Sequence, residues 1–183
     1  MKDCGLIRID EVGRIVIPKE MRRVLKLDGS RLVELYVERD KLVIKRYAPL
    51  LLNKNYLVKL ANKIAGLTGH ICIMGTCERV VAVSGQALGE MVGKNLTAEF
   101  SRVIREQAPT LINSSDGGKL YEIVKSCTFE YHSLALTSVV EECAEIGFIA
   151  LISTERDKTL NDGHLCMLKF ASELLVACME RCN

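Results

Sequence analysis

The sequence has no Cys-x-x-Cys pair and no long apolar run, and both absences exclude common classes of protein. Its eight cysteines are spread from Cys4 to Cys182 without paired histidines nearby, which argues against a zinc site. The longest apolar run, 146–152, is far too short to span a bilayer, and acidic residues interrupt the N-terminal stretch where a signal peptide would be apolar. We therefore expect free thiols, no metal and no membrane partner, in a reducing cytoplasm.

Net charge is also small, because 25 lysines and arginines stand against 23 aspartates and glutamates. The charge is unevenly distributed along the chain. Residues 1–48 carry twelve basic and eight acidic side chains, a net of +4, whereas residues 49–183 carry thirteen and fifteen, a net of −2. A basic head on a near-neutral body is typical of a protein that binds a polyanion.

Pro49 marks a domain boundary, because it follows and ends an apolar strand pattern. We predict a small domain over 1–48, a linker helix over 49–66 and a larger domain over 67–183. A unit as short as the first buries little surface, since about 40 residues is the practical lower limit for a domain without disulfides or metal. We therefore expect the head to be an obligate dimer.

The sequence of the head predicts two strands, then a short helix, then two more strands. The proposed strands are 5–9, 14–17, 32–37 and 41–45, and the helix runs from Pro18 to a turn at Leu27-Asp28-Gly29. Within the helix, apolar residues at helical spacing leave Lys19, Arg22 and Arg23 largely on the other face.

The sequence of the body predicts an α+β domain, because it contains both helix-like segments and runs of strand-like segments. Its expected helices are 55–66, 86–91, 97–107 and a long C-terminal helix, and its expected strands are 70–74, 79–83, 111–112, 120–124, 133–140 and 146–152. The last helix follows a capping-box pattern at Thr159-Leu160-Asn161-Asp162. Its apolar face is wide enough to cover its own sheet alone, or to serve a partner helix as well.

The stretch 13–23 carries the clearest functional pattern of the chain. An apolar strand leads into a proline-started helix with arginines before and after it, so a compact scaffold offers rigid guanidinium groups to phosphates. Double-stranded DNA is the partner that this pattern favours. The alternative is that Arg22 and Arg23 only solvate a helix and that Arg14 pairs with a preceding carboxylate.

Segments 5–8, 10–23 and 42–47 resemble the AbrB-type transition-state regulators, and 81–85 adds a match in the body to two-domain members of that family. The resemblance implies an N-terminal all-β swapped-hairpin dimeric barrel with a short helix. It further implies a C-terminal α+β GAF-like domain with flanking helices, which senses a small ligand or drives oligomerisation. Heads would pair as dimers, and the bodies would extend these to tetramers.

The function that this resemblance implies is sequence- or shape-selective DNA binding by a transcriptional regulator of sporulation or growth-phase transition genes. Such a protein would be nucleoid-associated, without a cofactor and not an enzyme. The family's DNA-contacting arginines fall on Arg8, Arg14, Arg22 and Arg23, with Lys19 as a further phosphate contact. Arg8 matches either of two family positions, because one residue separates it from Asp10 where the family has two.

The body offers candidate ligand-pocket residues but no charged constellation that names a ligand. The candidates stand at strand ends among turn residues, and they are Ser84, Gly85, Cys127, His132 and Ser133. Placement on ordinary surface loops is the alternative.

Two other functions compete with DNA binding. One GAF-like group resembles free methionine sulfoxide reductases, and Cys72, Cys77 and Cys127 could serve such thiol chemistry, although they also fit as small core residues. Several short antitoxins resemble the same head. Their toxin-wrapping tails are short, whereas residues 49–183 of this chain have the periodic pattern of a folded domain.

Overall fold

A computed structural model describes residues 7–25, 27, 33–84, 89–125, 129–142 and 144–180. The chain divides into two compact units, Met1–Tyr47 and Ala48–Asn183. Predictions that fall on residues 5–6, 28–32, 85–88 and 126–128, including those for Gly85 and Cys127, lie outside the described residues.

The first unit begins with a turn rather than with two strands. Ile9 and Ile15 form an isolated antiparallel bridge, and the described parts of the predicted strands 5–9 and 14–17 form no longer ladder. The strand predictions are wrong for these parts, because one bridge across a tight turn satisfies few of the backbone groups that a strand needs to pair. Helix α1 then runs over Lys19–Val24, with Pro18 as its N-cap residue.

A two-stranded antiparallel hairpin completes the first unit. Strand β1 covers Val33–Glu38 and β2 covers Lys41–Arg46, in a register that sets Leu35 opposite Ile44 and Val37 opposite Leu42. Because side chains alternate between the faces of a strand, these residues and Val33 share one apolar face. On the other face, Glu34 and Lys45 form an ion pair of 3.1 Å, and the Lys45 ammonium lies 5.0 Å from the centre of the Tyr36 ring.

In a single chain, the apolar face of the hairpin is exposed to solvent. Val33, Leu35 and Val37 are 45%, 58% and 73% exposed, and Leu42 is half exposed. Among the described residues of the first unit, Leu27 is the single buried apolar side chain. The described part of this unit therefore has almost no hydrophobic core of its own.

The second unit is built on a five-stranded antiparallel sheet in the order β4-β3-β7-β6-β5. The strands are β3 at Ile71–Gly75, β4 at Val80–Val83, β5 at Thr110–Asn113, β6 at Ser133–Glu141 and β7 at Ala144–Ser153. The helices are α2 at Pro49–Leu52, α3 at Lys54–Thr68, α4 at Ala98–Arg105 and α5 at Asp162–Glu180. The predicted hairpin of β3 and β4 and the strands β5, β6 and β7 are confirmed within a few residues.

Helices cover both faces of this sheet. Helix α4 packs on one face, where Phe100 meets Phe148 of β7 edge to face at 5.4 Å between ring centres. Helices α3 and α5 cover the other face. Helix α5 packs on the sheet through buried side chains that include Leu168, Leu175 and Met179.

Helix α3 covers most of the range predicted as a linker and packs on the sheet. Leu57, Ala61 and Ile64 are buried, and the helix contacts β3 and β4. It continues to Thr68, beyond the expected end near residue 66. Gly69 ends it with a left-handed φ of 72° and donates its N–H to the Ala65 carbonyl, which satisfies an otherwise unpaired helix end.

Three expectations for local structure in the body are wrong. Residues 120–124 form no strand and make one isolated bridge, because their apolar side chains are buried by packing under the sheet rather than by pairing in it. The described part of the helix expected at 86–91 is a single 3-10 turn at Gly89–Met91. The cap of α5 is Asn161, whose side chain accepts the His164 N–H, and not the predicted Thr159 box.

Candidate functional site

Arg14 is held in place by the turn that precedes it. Its Nε donates to Asp10 Oδ2 at 2.7 Å, and its backbone N–H donates to Asp10 Oδ1 at 2.8 Å. The Val12 N–H donates to the same carboxylate. The bonds from Arg14, its backbone N–H first and its guanidinium second, lower the pKa of Asp10.

The pairing with a preceding carboxylate, considered above as an alternative to DNA contact, is therefore present in the single chain. It engages only one edge of the guanidinium, and the Arg14 side chain remains 76% exposed. The bond to Asp10 orients the group, so that its terminal N–H groups face solvent. An oriented arginine loses less side-chain entropy when it meets a phosphate.

Arg8 lies next to the bridge that closes the same turn. Arg8 directly precedes Ile9 and Arg14 directly precedes Ile15, the two residues that pair across the bridge. Both arginines are exposed.

Helix α1 carries the other three basic candidates. Lys19, Arg22 and Arg23 are exposed, and the spacings of three and four residues from Lys19 set them on adjoining sides of the helix. Arg22 Nη1 donates to the Ile17 carbonyl at 3.1 Å, which ties this side chain back to the segment that enters the helix. The five predicted basic residues thus lie within the segment 8–23.

Of the predicted pocket residues in the body, the structure describes Ser84, His132 and Ser133. Ser84 is buried, and its Oγ accepts the Cys72 N–H at 2.8 Å, a bond that joins the end of β4 to β3. Ser133 is buried inside β6. His132 lines a pocket.

This pocket has a volume of about 450 Å³ and opens beside the start of β6. Phe129 and Tyr131 stack with ring centres 5.5 Å apart, and the Tyr131 hydroxyl donates to the Tyr121 carbonyl at 2.5 Å. Burial raises the pKa of Tyr131, which keeps its hydroxyl protonated. Among the described residues, the lining consists of Leu120, Tyr121, Glu122, Ile123, Phe129, Glu130, Tyr131, His132 and Arg156.

The backbone around His132 is fixed from both sides. Its N–H donates to the Ser153 carbonyl at 2.7 Å, and its carbonyl accepts the Ser114 N–H at 2.8 Å. Arg156 follows β7 in the next loop. The pocket therefore combines an aromatic wall, an imidazole and a guanidinium with the carboxylates of Glu122 and Glu130, a set that sequence spacing did not indicate because it joins three separate segments.

The described cysteines lie in different environments. Burial raises the pKa of Cys72 to about 12, so this thiol stays protonated at neutral pH. Cys77 is buried, and its Sγ donates to the Glu145 carbonyl at 3.4 Å. Cys166 is exposed and Cys178 half-buried on α5. Across the described ranges, no group of three or more His, Cys, Asp or Glu side chains is arranged to hold a metal ion.

The body has the fold of GAF domains. The GAF domain of a phosphoenolpyruvate-protein phosphotransferase from Acinetobacter superposes with a TM-score of 0.59 at 13% identity, over 87% of this chain and 90% of that one. A type II free methionine-R-sulfoxide reductase from Thermoplasma acidophilum gives a TM-score of 0.53 at 12% identity, over 71% and 94%. These likenesses establish the fold and not an activity.

Sequence comparison defines the class more narrowly. The family model described as "Stage V sporulation protein T C-terminal, transcription factor" matches residues 54–180, and the chain belongs to this family. It is 26% identical to stage V sporulation protein T of Bacillus subtilis strain 168, over 99% of this chain and the whole of that protein. The chain is thus an AbrB-type transcription regulator similar to that protein.

The AbrB likeness comes from a second relative. Over 50 residues the chain is 44% identical to the transition state regulatory protein AbrB of the same organism, which covers 27% of this chain and 52% of that protein. Helices long and apolar enough to cross a membrane do not occur in the portion of the chain that the structure describes.

The cysteine environments predict unequal reactivity. A thiol with a pKa of about 12 instead of the ordinary 9.0 has about a thousandfold smaller thiolate fraction at pH 8. Brief iodoacetamide treatment of the folded chain should therefore alkylate Cys166 and spare Cys72, as read by peptide mass spectrometry, and both should react in urea. Equal labelling of the two in the folded chain would restore the thiol redox hypothesis.

Proposed function

We propose that this chain is a DNA-binding transcription regulator of sporulation or growth-phase transition genes, acting on the nucleoid as a homo-oligomer. The observation that carries the proposal is the exposed basic segment 8–23, in which Asp10 orients Arg14 and the Ile17 carbonyl holds Arg22. The family description as a transcription factor supports the same function. Arg8, Arg14, Lys19, Arg22 and Arg23 are the proposed contacts to double-stranded DNA.

The chemistry of these contacts favours binding to the DNA backbone and recognition of groove shape. Arginine forks make bidentate, charge-assisted hydrogen bonds to phosphates. Helix α1 has six residues, which is short for a helix that reads bases along a major groove. Phosphate contacts set affinity and register, and the width and deformability of the duplex then select among sequences.

The head should act as a dimer, because its apolar hairpin face lacks a cover within one chain. Val33, Leu35 and Val37 are each at least 45% exposed. Burying apolar surface contributes about 25 cal/mol for each Å², so a partner head that covers this face supplies the core that the unit lacks. A swapped-hairpin barrel of two chains meets this requirement and presents the arginines as a two-fold set.

The bodies should pair through the outer sides of α3 and α5. Phe170, Leu174 and Cys178 follow one another at four-residue spacing on α5, and Phe170 and Leu174 are 69% and 46% exposed. A hydrogen bond with Cys178 raises the pKa of Tyr56, which places the start of α3 beside this stripe. Leu67, three helical turns further along α3, is 81% exposed. Head dimers joined by such body contacts form a tetramer.

The body should also sense a small ligand in the pocket beside His132. The aromatic wall of Phe129 and Tyr131 offers apolar surface, and Arg156 and His132 supply polar groups that orient a ligand. Of the residues predicted from sequence, His132 stays in this proposal.

Removing single arginines should weaken DNA binding without unfolding the protein. In the full chain, Arg14→Ala and Arg23→Ala should each lower affinity for a pool of random-sequence duplexes at least tenfold at 0.15 M salt. The slope of log affinity against log salt should fall by about 1 for each phosphate that the variant no longer binds. Arg105→Ala, an exposed change in the body, is the matched control. Unchanged affinity in both head variants, measured by mobility shift, would refute the assignment of these contacts.

Oligomer size should respond separately to changes in the two units. Light scattering should give a tetramer for the parent chain, and dimers for both Leu35→Lys and Phe170→Asp, because each removes one of the two apolar contacts. Glu38→Lys and Lys169→Asp, charge changes at neighbouring exposed positions, should leave the tetramer intact. A monomeric parent, or tetramers in both apolar-to-charged variants, would contradict the proposed pairing.

Ligand binding should raise the melting temperature through the His132 pocket. A ligand at 100 times its dissociation constant stabilises the folded state by about 2.7 kcal/mol. Screening nucleotides, amino acids and short carboxylic acids by thermal shift should yield a compound whose effect is lost in Phe129→Ala and Arg156→Ala and kept in Arg105→Ala. Hits with equal shifts in all variants would place binding elsewhere.

A further inference from the structure

Two of the three histidines of the chain meet where α5 begins. His70 lies in the turn between α3 and β3, and His164 lies in the first turn of α5. Their ring centres are 5.0 Å apart and their planes stand at 85°, an edge-to-face contact. This contact joins the start of the sheet to the start of the longest helix.

His164 also takes part in the cap of α5. The Asn161 side chain accepts the His164 N–H at 3.2 Å, and His164 Nδ1 accepts the Asn161 N–H at 3.2 Å. This is the reciprocal arrangement of a capping box, with histidine at the position that glutamate or glutamine usually occupies. Nδ1 can accept only while it carries no proton, so the cap requires a neutral imidazole with its proton on Nε2.

Protonation removes this acceptor and places a cation at the wrong end of the helix. The first turn of an α-helix carries a partial positive charge from its unpaired N–H groups, which disfavours a positive side chain there. A protonated His164 would also face His70 at ring-contact distance. Both effects oppose the folded arrangement of the first turn.

The surroundings of His70 favour the neutral form as well. Its pKa is lowered, first by burial and then by the charges of His164 and Lys158, whereas Glu155 acts in the opposite sense. Lys158 and Glu155 form an ion pair of 2.7 Å, which limits what either contributes. Asp162 is the acidic residue in the first turn of α5.

A second anchor defines how far the helix start can open. The Asn113 side chain donates to the Leu160 carbonyl at 3.1 Å and accepts the Leu160 N–H at 3.3 Å, and Leu160 is buried. Because these groups do not titrate near neutral pH, the chain remains attached to β5 just before the helix. Loss of the histidine cap would therefore loosen the first turn of α5 and leave the segment before it in place.

We propose that His70 and His164 form an acid-sensitive latch, which fastens the first turn of α5 to the start of β3 at neutral pH and releases it as the pH falls. The unfolded or opened chain binds protons at the ordinary histidine pKa of 6.5, above that of folded His70. The stabilising effect of the latch is therefore complete above pH 6.5 and is lost as the pH falls through this value towards the lowered pKa.

Hydrogen exchange of the full chain tests the latch. Peptides that cover 161–168 should lose protection below pH 6.5 by about tenfold for each pH unit and each proton taken up, after correction for intrinsic exchange rates, while peptides from β6 and β7 keep theirs. His164→Gln keeps an acceptor that does not titrate near neutral pH, so protection of this variant should fall less between pH 7.5 and 5.5 than in the parent chain, with His70 as the histidine of the latch that still takes up a proton. His164→Glu, which restores the usual capping box, should do the same.

His132→Gln removes the remaining histidine and is the matched control, which should keep the full pH dependence. Equal protection of 161–168 at pH 7.5 and 5.5 in the parent chain would overturn the proposal, as would undiminished pH dependence in both His164 variants. Light scattering at the same pH values distinguishes opening of the latch from dissociation of the paired bodies. Reduced protection with an unchanged tetramer supports the latch and shows that pairing does not depend on it.

Discussion

The two units of this chain differ in how much of their apolar surface they bury. The first unit places apolar residues on one face of the β1-β2 hairpin and buries almost none of them, with Leu27 as its single buried apolar side chain in the described part. The second unit buries its strands on both faces of a five-stranded sheet. In the proposed dimer, the partner head would cover this exposed face, and the arginines of the two chains would form a symmetric set.

The body, in contrast, has a hydrophobic core of its own. Helix α5 covers the sheet with one side and leaves the stripe of Phe170, Leu174 and Cys178 open on the other.

One loop contributes residues both to the proposed pocket and to the surroundings of the latch. The loop after β7 supplies Arg156 to the pocket, and Glu155 and Lys158 to the surroundings of His70. A ligand and a proton would thus act on neighbouring parts of one loop.

The sequence predicted the parts of the fold in which local pattern and tertiary environment agree. The strands β3, β4, β6 and β7 are apolar runs that the sheet buries on both faces, so their pattern survives folding. Residues 120–124 have a similar pattern, yet they are buried by packing across the core, and no local signal separates these two ways of burying an apolar side chain. The α5 cap was missed for a related reason, since His164 replaces the glutamate by which a capping box is recognised.

The sequence alone indicated the family, through segments that resemble the AbrB-type regulators. That resemblance implied a GAF-like body and is the basis on which Arg8, Arg14, Lys19, Arg22 and Arg23 are proposed as DNA contacts. Motifs of this kind consist of residues close together in the chain, so they can be recognised before the fold is known. Three contacts became visible only in the folded chain: Asp10 orients Arg14, His132 shares a pocket with Arg156, and His70 touches His164. The last two join segments far apart in the chain, and Asp10 was one of several possible partners, so each depended on how the backbone folds rather than on any local pattern.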